Sequence, residues 1–261
     1  MGEGHKAPPL LMGERAKEEI DMKKMIIIVL IVILLFLAFL SYRKNHEEEA
    51  FDRKVREIAG VEEVIREEET RADGEAKEIV GDSQEGGDMR VNFERLRELN
   101  PDIIAWIYAP GTRINYPVVY SPDDYYLRRD LDGKYNSHGT IYTRKGDFPG
   151  RAAIIYGHNM RDNTMFGTVD LYFDEGLSSG ITIFLPGETR SYSFHSAYVA
   201  KPYDLDEMFN GFLSEEDVGD YLSYVKDRSG KDVSSESQII TLSTCTPDGK
   251  QRLIVNFTYD A

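Results

Sequence analysis

The sequence predicts a mainly β domain, a closed barrel or a sandwich, carried behind a single apolar helix. Three observations lead there. Eight short β-rich runs follow one another from residue 103 to residue 259, bounded by turn residues. One unbroken apolar block, Met25 to Leu40, lies near the N-terminus. Between block and runs lies a polar segment with few apolar side chains to bury. The whole chain has 261 residues, which suits one domain of ordinary size plus extra segments.

The apolar block reads MIIIVLIVILLFLAFL and makes roughly 24 Å of helix at about 1.5 Å per residue. Ser41 and Tyr42 extend it, and Lys23 and Lys24 snorkel to the interface. A core helix would keep a polar stripe, and this block has none. A cleaved signal peptide would be followed by a small-x-small pattern, which is missing here. The expectation is a short N-terminal segment over 1–24 and a transmembrane anchor over 25–42. Basic residues flank both ends, so charge alone does not orient the span. Met22 followed by two lysines looks like an ordinary signal-anchor start, which leaves the first twenty-one residues as a dispensable extension or a misplaced start.

Residues 43–90 carry nine basic and sixteen acidic side chains, and Phe51 is their only aromatic. Val55, Ile58, Val61, Val64 and Ile65 recur at three- and four-residue spacings, which predicts a short amphipathic helix on a solvated stalk. From Ala72 to Asp88 the composition turns to Gly and acid and reads as flexible linker.

From Val91 Tyr, Phe, Ile and Val become frequent. Phe93–Leu99 is a short helix stopped by Asn100-Pro101. The β-rich runs are Ile103–Ala109, Ile114–Tyr120, Thr140–Thr143, Ala152–Tyr156, Ile181–Leu185, Arg190–Ala200, Gln238–Ser243 and Arg252–Tyr259. One insertion breaks the pattern. Ser214 and Asp217 resemble a capping box, and Val218, Tyr221, Leu222 and Val225 follow at helical spacing. A helix laid on a β domain is expected there.

Charge and cysteine count narrow the function classes. Lys plus Arg total 31 against 46 Asp plus Glu, a formal net charge of −15, so the chain is a poor general nucleic-acid binder. One cysteine forms no internal disulfide and builds no cysteine-rich zinc site. No other metal-ligand cluster is visible, so neither metal nor cofactor is expected.

Three residues form a chemical set. Cys245 ends the apolar strand Ile239-Ile240-Thr241-Leu242, just before a turn at Pro247 and Gly249. His158 follows the apolar strand Ile154-Ile155-Tyr156, between Gly157 and Asn159. Arg252 opens the last strand seven residues after Cys245, so a hairpin step brings it back beside the thiol. A thiolate nucleophile needs a nearby base or cation. Histidine titrates near neutrality and protonates a leaving amine. Arginine donates to a developing oxyanion. The set predicts acyl transfer through a thioester.

At these residues the chain resembles the sortases, cysteine transpeptidases of Gram-positive surfaces. Thr241-Leu242-Ser243-Thr244-Cys245 matches the TLxTC motif, Tyr156-Gly157-His158-Asn159 the histidine segment, and Arg252 the arginine of the last strand. Class B is the subclass most similar. Asn100-Pro101-Asp102 with Ala105-Trp106-Ile107, Asn115-Tyr116-Pro117-Val118-Val119, Asp124-Tyr125-Tyr126-Leu127 and Gly157-His158-Asn159-Met160 with Met165-Phe166-Gly167 match its characteristic stretches. Two places depart from that pattern. The segment Ile141–Asp147 is short and lacks an aspartate-rich continuation, and the Cys-to-Arg spacing is short for class B.

The resemblance implies a closed eight-stranded sortase-type β-barrel over 91–261. It carries an N-terminal helix and a helical insertion before the cysteine strand, and a single transmembrane helix precedes it. It implies catalytic roles for Cys245, His158 and Arg252, with Ser243, Thr244, Leu127 and Tyr156 as substrate-groove residues. The implied reaction cleaves a surface protein's C-terminal sorting signal after Thr. Its implied acceptor is an amine of a peptidoglycan precursor or of a pilin lysine, the latter making a pilus-polymerising enzyme. The implied location is the cell membrane, single-pass, with the catalytic domain outside. The competing reading is a catalytically silent surface-binding module in which Cys245 and His158 are structural. A thiol hydrolase on the same fold is a further alternative.

Overall fold

The computed structural model describes residues 9–60, 91–174, 176–201 and 217–259. Two compact units divide the chain, Met1–Lys54 and Val55–Ala261. Helix α1 (Pro9–Ala59) supplies the first unit and enters the second. Within α1, Met22–Arg43 has a mean hydropathy of 3.2 and is long and apolar enough to cross a membrane. Its side chains are exposed, as the lipid-facing surface of an isolated span requires. The last turn of α1 belongs to the second unit. Val55 and Ala59 are buried there, and the Ala59 carbonyl accepts from the Asn92 N–H at 2.9 Å. So the helix expected on a solvated stalk has part of its apolar stripe covered. Val61, Val64 and Ile65 of that stripe, the linker at 72–88, and Ser214 lie outside the described residues.

Helix α2 (Phe93–Leu99) is capped as its sequence dictates: the Asn92 side chain accepts from the Arg95 N–H at 3.0 Å. Asn100 then ends the helix and is itself buried. Its amide donates to the Tyr126 hydroxyl and the Leu131 carbonyl, both at 2.8 Å, and its oxygen accepts from the Asp102 N–H. One side chain thereby ties the helix end to a loop distant in sequence.

Eight strands come next: β1 (Ile103–Tyr108), β2 (Asn115–Tyr120), β3 (Tyr142–Thr143), β4 (Ala152–Tyr156), β5 (Ile181–Leu185), β6 (Glu188–Ala200), β7 (Gln238–Cys245) and β8 (Arg252–Tyr259). A short helix, α3 (Leu171–Asp174), precedes β5. The strands close into a barrel in the order β1-β2-β3-β4-β7-β8-β6-β5. The barrel, rather than a sandwich, is the solution the chain adopts.

The strands bury both faces where the site lies. Ile155, Ile240, Leu242, Val255 and Phe257 point into the barrel core with Phe166 and Tyr172. The alternate residues of β7, Ile239, Thr241 and Ser243, are buried as well. Helix α4 (Val218–Ser229) accounts for that cover, burying Val218, Tyr221, Leu222, Tyr224 and Val225. Tyr221 donates to the Thr241 hydroxyl, which donates to Asn256 Oδ1 at 2.7 Å. Asp217 stands at the α4 N-cap without a side-chain cap bond, and Gly230 ends the helix in the left-handed conformation, φ 68°.

Two strand pairings bring distant parts of the chain together at one end of the barrel. Strand β4 runs parallel to β7, with Tyr156 opposite Ser243. Strand β8 runs antiparallel to β7, with Arg252 opposite Cys245. A parallel pair brings the C-terminal ends of both strands to the same end. The residues just beyond β4 and those ending β7 therefore meet there.

Candidate active site

Continuing the β4–β7 register by two residues sets His158 level with Cys245. Local bonds hold both in place. The Thr244 hydroxyl, fully buried, donates to the Gly157 carbonyl at 2.7 Å. The Asn159 amide donates to the Cys245 carbonyl at 2.9 Å. The two residues that flank His158 are thus tied to the two that end β7. Gly157 is required by packing, because a Cβ there would sit 2.8 Å from the Phe166 ring.

Arg252 reaches the thiol directly: its Nη1–H donates to Cys245 Sγ at 2.9 Å. The cross-strand pairing in the β7–β8 hairpin makes this contact, so the short Cys-to-Arg spacing brings the two side chains together. A guanidinium stays charged and only donates, so Arg252 presents a fixed positive charge to the sulfur.

His158 is oriented by a backbone group. Its Nε2–H donates to the Leu127 carbonyl at 2.7 Å. A carbonyl only accepts, so the proton sits on Nε2, and in the neutral ring Nδ1 carries the lone pair. Burial lowers the imidazole below its ordinary value. The charges of Arg128, His138 and Arg252 push the same way, and the Leu127 bond opposes them. A neutral imidazole with Nδ1 free to take a proton is the form this setting favours.

Leu127 lies in a 3₁₀ turn, Tyr125–Arg128, and a cluster anchors that turn. Asp124 Oδ1 accepts from the Tyr142 hydroxyl at 2.7 Å and from Arg144 Nη2 at 2.5 Å. Tyr142 stacks on Tyr156 with ring centroids 5.3 Å apart, and the Arg144 guanidinium lies over the Tyr156 ring. Burial raises the Asp124 carboxyl, but the bonds from Tyr142 and Arg144 outweigh it, and the net direction is down. Gly139 packs against the same turn.

The three residues expected to carry the chemistry are therefore brought to one end of the barrel. Of the other expected site residues, Ser243 and Tyr156 are buried cross-strand neighbours, and Tyr156 sits beneath Arg144. Thr244 is buried with its hydroxyl engaged. Leu127 is half-buried and meets His158 through its backbone. Sequence reasoning missed Asn159, although it lies inside the histidine segment Tyr156–Asn159. It also missed the Asp124–Tyr142–Arg144 cluster, whose members are scattered along the chain. Among the described residues, no three His, Cys, Asp or Glu side chains gather as a metal site requires.

Comparison with known proteins fits this geometry. A family model described as the sortase domain matches residues 107–258. Sortase B of Listeria monocytogenes is 32% identical over 176 residues, covering 61% of this chain and 69% of the relative. The crystal structure of Clostridium perfringens sortase B superposes with a TM-score of 0.57 at 26% identity, covering 65% of this chain and 100% of that one. A Staphylococcus aureus sortase B–substrate complex superposes with a TM-score of 0.51 at 26% identity, covering 64% of this chain and 83% of the other.

Proposed function

The chain belongs to the sortase family and is a class B sortase-like cysteine transpeptidase, and from that premise we propose that Cys245, His158 and Arg252 attach surface proteins to the cell wall. The observation that carries the reading is the Arg252 Nη1 to Cys245 Sγ contact at 2.9 Å, beside a histidine loop bonded to the Cys245 carbonyl.

In the first half-reaction the Cys245 thiol attacks the Thr carbonyl of a C-terminal sorting signal. The thiol proton passes to Nδ1 of His158 as the Sγ–C bond forms. Arg252 stabilises the thiolate and then the charge of the tetrahedral intermediate. Collapse breaks the C–N bond, and His158 returns the proton to the leaving amine. A thioester remains on Cys245. In the second half-reaction a peptidoglycan amine attacks that thioester and gives its proton to His158. The C–N bond forms, the S–C bond breaks, and the thiol is restored. Leu127, by holding Nε2–H, keeps Nδ1 available in both halves.

Ser243 and Tyr156 line the floor of the sorting-signal groove, and the Leu127 side chain forms one wall. Thr244 acts on the substrate through the loop it anchors, because its own hydroxyl is spent on Gly157. That a solved relative, Staphylococcus aureus sortase B, is a substrate complex accords with a substrate-binding role for this fold.

The domain layout accords with the same reading. Residues 25–42 anchor the chain, 1–24 lie on the cytoplasmic side, 43–90 space the enzyme from the bilayer, and 91–261 catalyse outside. The substrate proteins and the wall amine are outside the cell, which supports that orientation.

The test offers the full chain, in detergent, quenched peptides of Asn-Pro-x-Thr-Asn and Leu-Pro-x-Thr-Gly type, with and without an amine. Cleavage that depends on Cys245 is expected. If neither peptide is cut, or Cys245→Ala cuts as the native chain does, the reading is wrong. Protease on intact cells checks topology: release of the catalytic domain is expected, and its protection contradicts an outward orientation.

A further inference from the structure

Strand β4 ends at Tyr156, yet its ladder with β7 goes on. The Gly157 N–H still donates to the Ser243 carbonyl at 3.4 Å. In a parallel ladder the next such rung would run from the Asn159 N–H to the Cys245 carbonyl. A side chain makes that rung instead: Asn159 Nδ2–H donates to the Cys245 carbonyl at 2.9 Å. The backbone is thereby released from the sheet at His158, whose ring reaches the Leu127 carbonyl while β7 keeps its bond.

The loop that begins there is a small hairpin. Asn159 pairs with Met165, and the Phe166 N–H donates to the His158 carbonyl at 2.9 Å. Its far end is braced by other parts of the chain. The Asp162 carboxylate accepts from the Thr164 N–H and from His138 Nε2, both at 3.0 Å, and Arg113 Nη1 donates to the Asp162 carbonyl at 3.2 Å. At the near end, the Thr244 hydroxyl ties the residue before His158 to the residue before Cys245. The Asn159 amide ties the residue after His158 to Cys245 itself.

We infer that Asn159 is a positioning residue of the transfer, a role that rests on the transpeptidase reading and adds a further side chain to it. Its amide fixes the histidine loop at the height of the nucleophile, so the proton of Cys245 Sγ has a set path to His158 Nδ1. The amide is spent on the protein's own backbone, so its loss acts on proton transfer and not on the hold of the peptide. A misplacement of about 1 Å costs on the order of 100-fold in rate. Arg252 is set by a different strand, β8, and keeps its contact with the thiol when Asn159 is changed.

The test compares the full native chain with Asn159→Ala and Asn159→Asp, by peptide cleavage and by alkylation of Cys245 with iodoacetamide. The aspartate keeps the shape of asparagine and loses the donor. Both half-reactions use the same proton path, so both variants are expected to lose about 10- to 100-fold in kcat with KM within about twofold of native. Alkylation needs the sulfur beside Arg252 but no proton for a leaving amine, so its rate in Asn159→Ala is expected to stay within about threefold of native. A native kcat in Asn159→Asp overturns the inference, because the donor is then dispensable. A loss carried by KM, or an alkylation rate altered as much as kcat, also overturns it, because the amide then serves substrate binding or the general environment of the thiol. Absence of peptide cleavage in the native chain overturns the transpeptidase reading itself, whereas native cleavage with unchanged kcat in both variants overturns this role alone.

Discussion

Gly139 offers a way to move a backbone carbonyl that mutagenesis cannot otherwise reach. It adopts φ +63°, and a Cβ at this position would lie 2.4 Å from the Leu127 carbonyl oxygen and 2.8 Å from that of Tyr126. Both obstacles are backbone, so in Gly139→Ala the 3₁₀ turn must retreat by roughly half an ångström or more to reach the shortest tolerated contact of 3.0 Å. The Leu127 oxygen is the acceptor for His158 Nε2–H at 2.7 Å, and that bond lengthens or breaks. A hydrogen bond to a group that becomes charged is worth about 1.5–3 kcal/mol, so kcat/KM should fall about 10- to 150-fold. The left-handed backbone itself costs about 1–2 kcal/mol for an L-residue, which lowers Tm by about 2–8 °C in a domain of this size. The Leu127 bond raises the His158 value, so its loss should move the imidazole titration further down. The assay pairs peptide cleavage with a thermal melt and an NMR titration of His158. A lowered Tm with unchanged kcat/KM and an unmoved titration would refute the role given to the Leu127 carbonyl.

Three further outcomes are expected at the site. Arg252→Ala should lose about 10²–10³ in kcat/KM, as for one oxyanion donor, and a value within about twofold of native removes Arg252 from the mechanism. Thr244→Val leaves the Gly157 carbonyl without its buried donor and should cost about 1–3 kcal/mol, read as a loss of denaturant midpoint; an unchanged midpoint contradicts the link between β4 and β7. The acid limb of kcat/KM should lie below 6.5, because His158 must be neutral to accept the thiol proton and burial holds its value down. By the same sign, the unfolded chain binds the extra proton first. The His158 contribution to stability is complete above 6.5 and is lost as pH falls through the folded value. An acid limb above 6.5 would contradict this.

Much of the barrel was legible because its strands are short, apolar and punctuated. Ala152–Tyr156, Ile181–Leu185 and Arg252–Tyr259 were readable to the residue. Their pairing was not. No local pattern shows that β4 lies parallel to β7, with β5, β6 and α4 intervening in sequence, and that pairing is what sets His158 level with Cys245. The hairpin was the easier inference, since seven residues return the chain at once. Sequence reasoning named Leu127 for its side chain, whereas its carbonyl holds the histidine. Backbone groups are identical at every residue, so composition carries no sign of which one is used. Asp124, Tyr142 and Arg144 converge only because β2 and β3 are neighbours in the barrel. The apolar stripe of the stalk was readable, but not its burial at Val55 and Ala59, because a partner surface for it is made elsewhere in the chain.

The central claim is a covalent acyl-enzyme on Cys245, and mass spectrometry of the full chain mixed with a sorting peptide and no acceptor tests it most directly. The account predicts a mass increase equal to the N-terminal peptide fragment less one water, the acyl group of a thioester, mapped to the segment containing Cys245. Hydroxylamine should release it as the hydroxamate, and Cys245→Ala should lack it. Peptide cleavage that proceeds without this adduct, or persists in Cys245→Ala, would contradict the account.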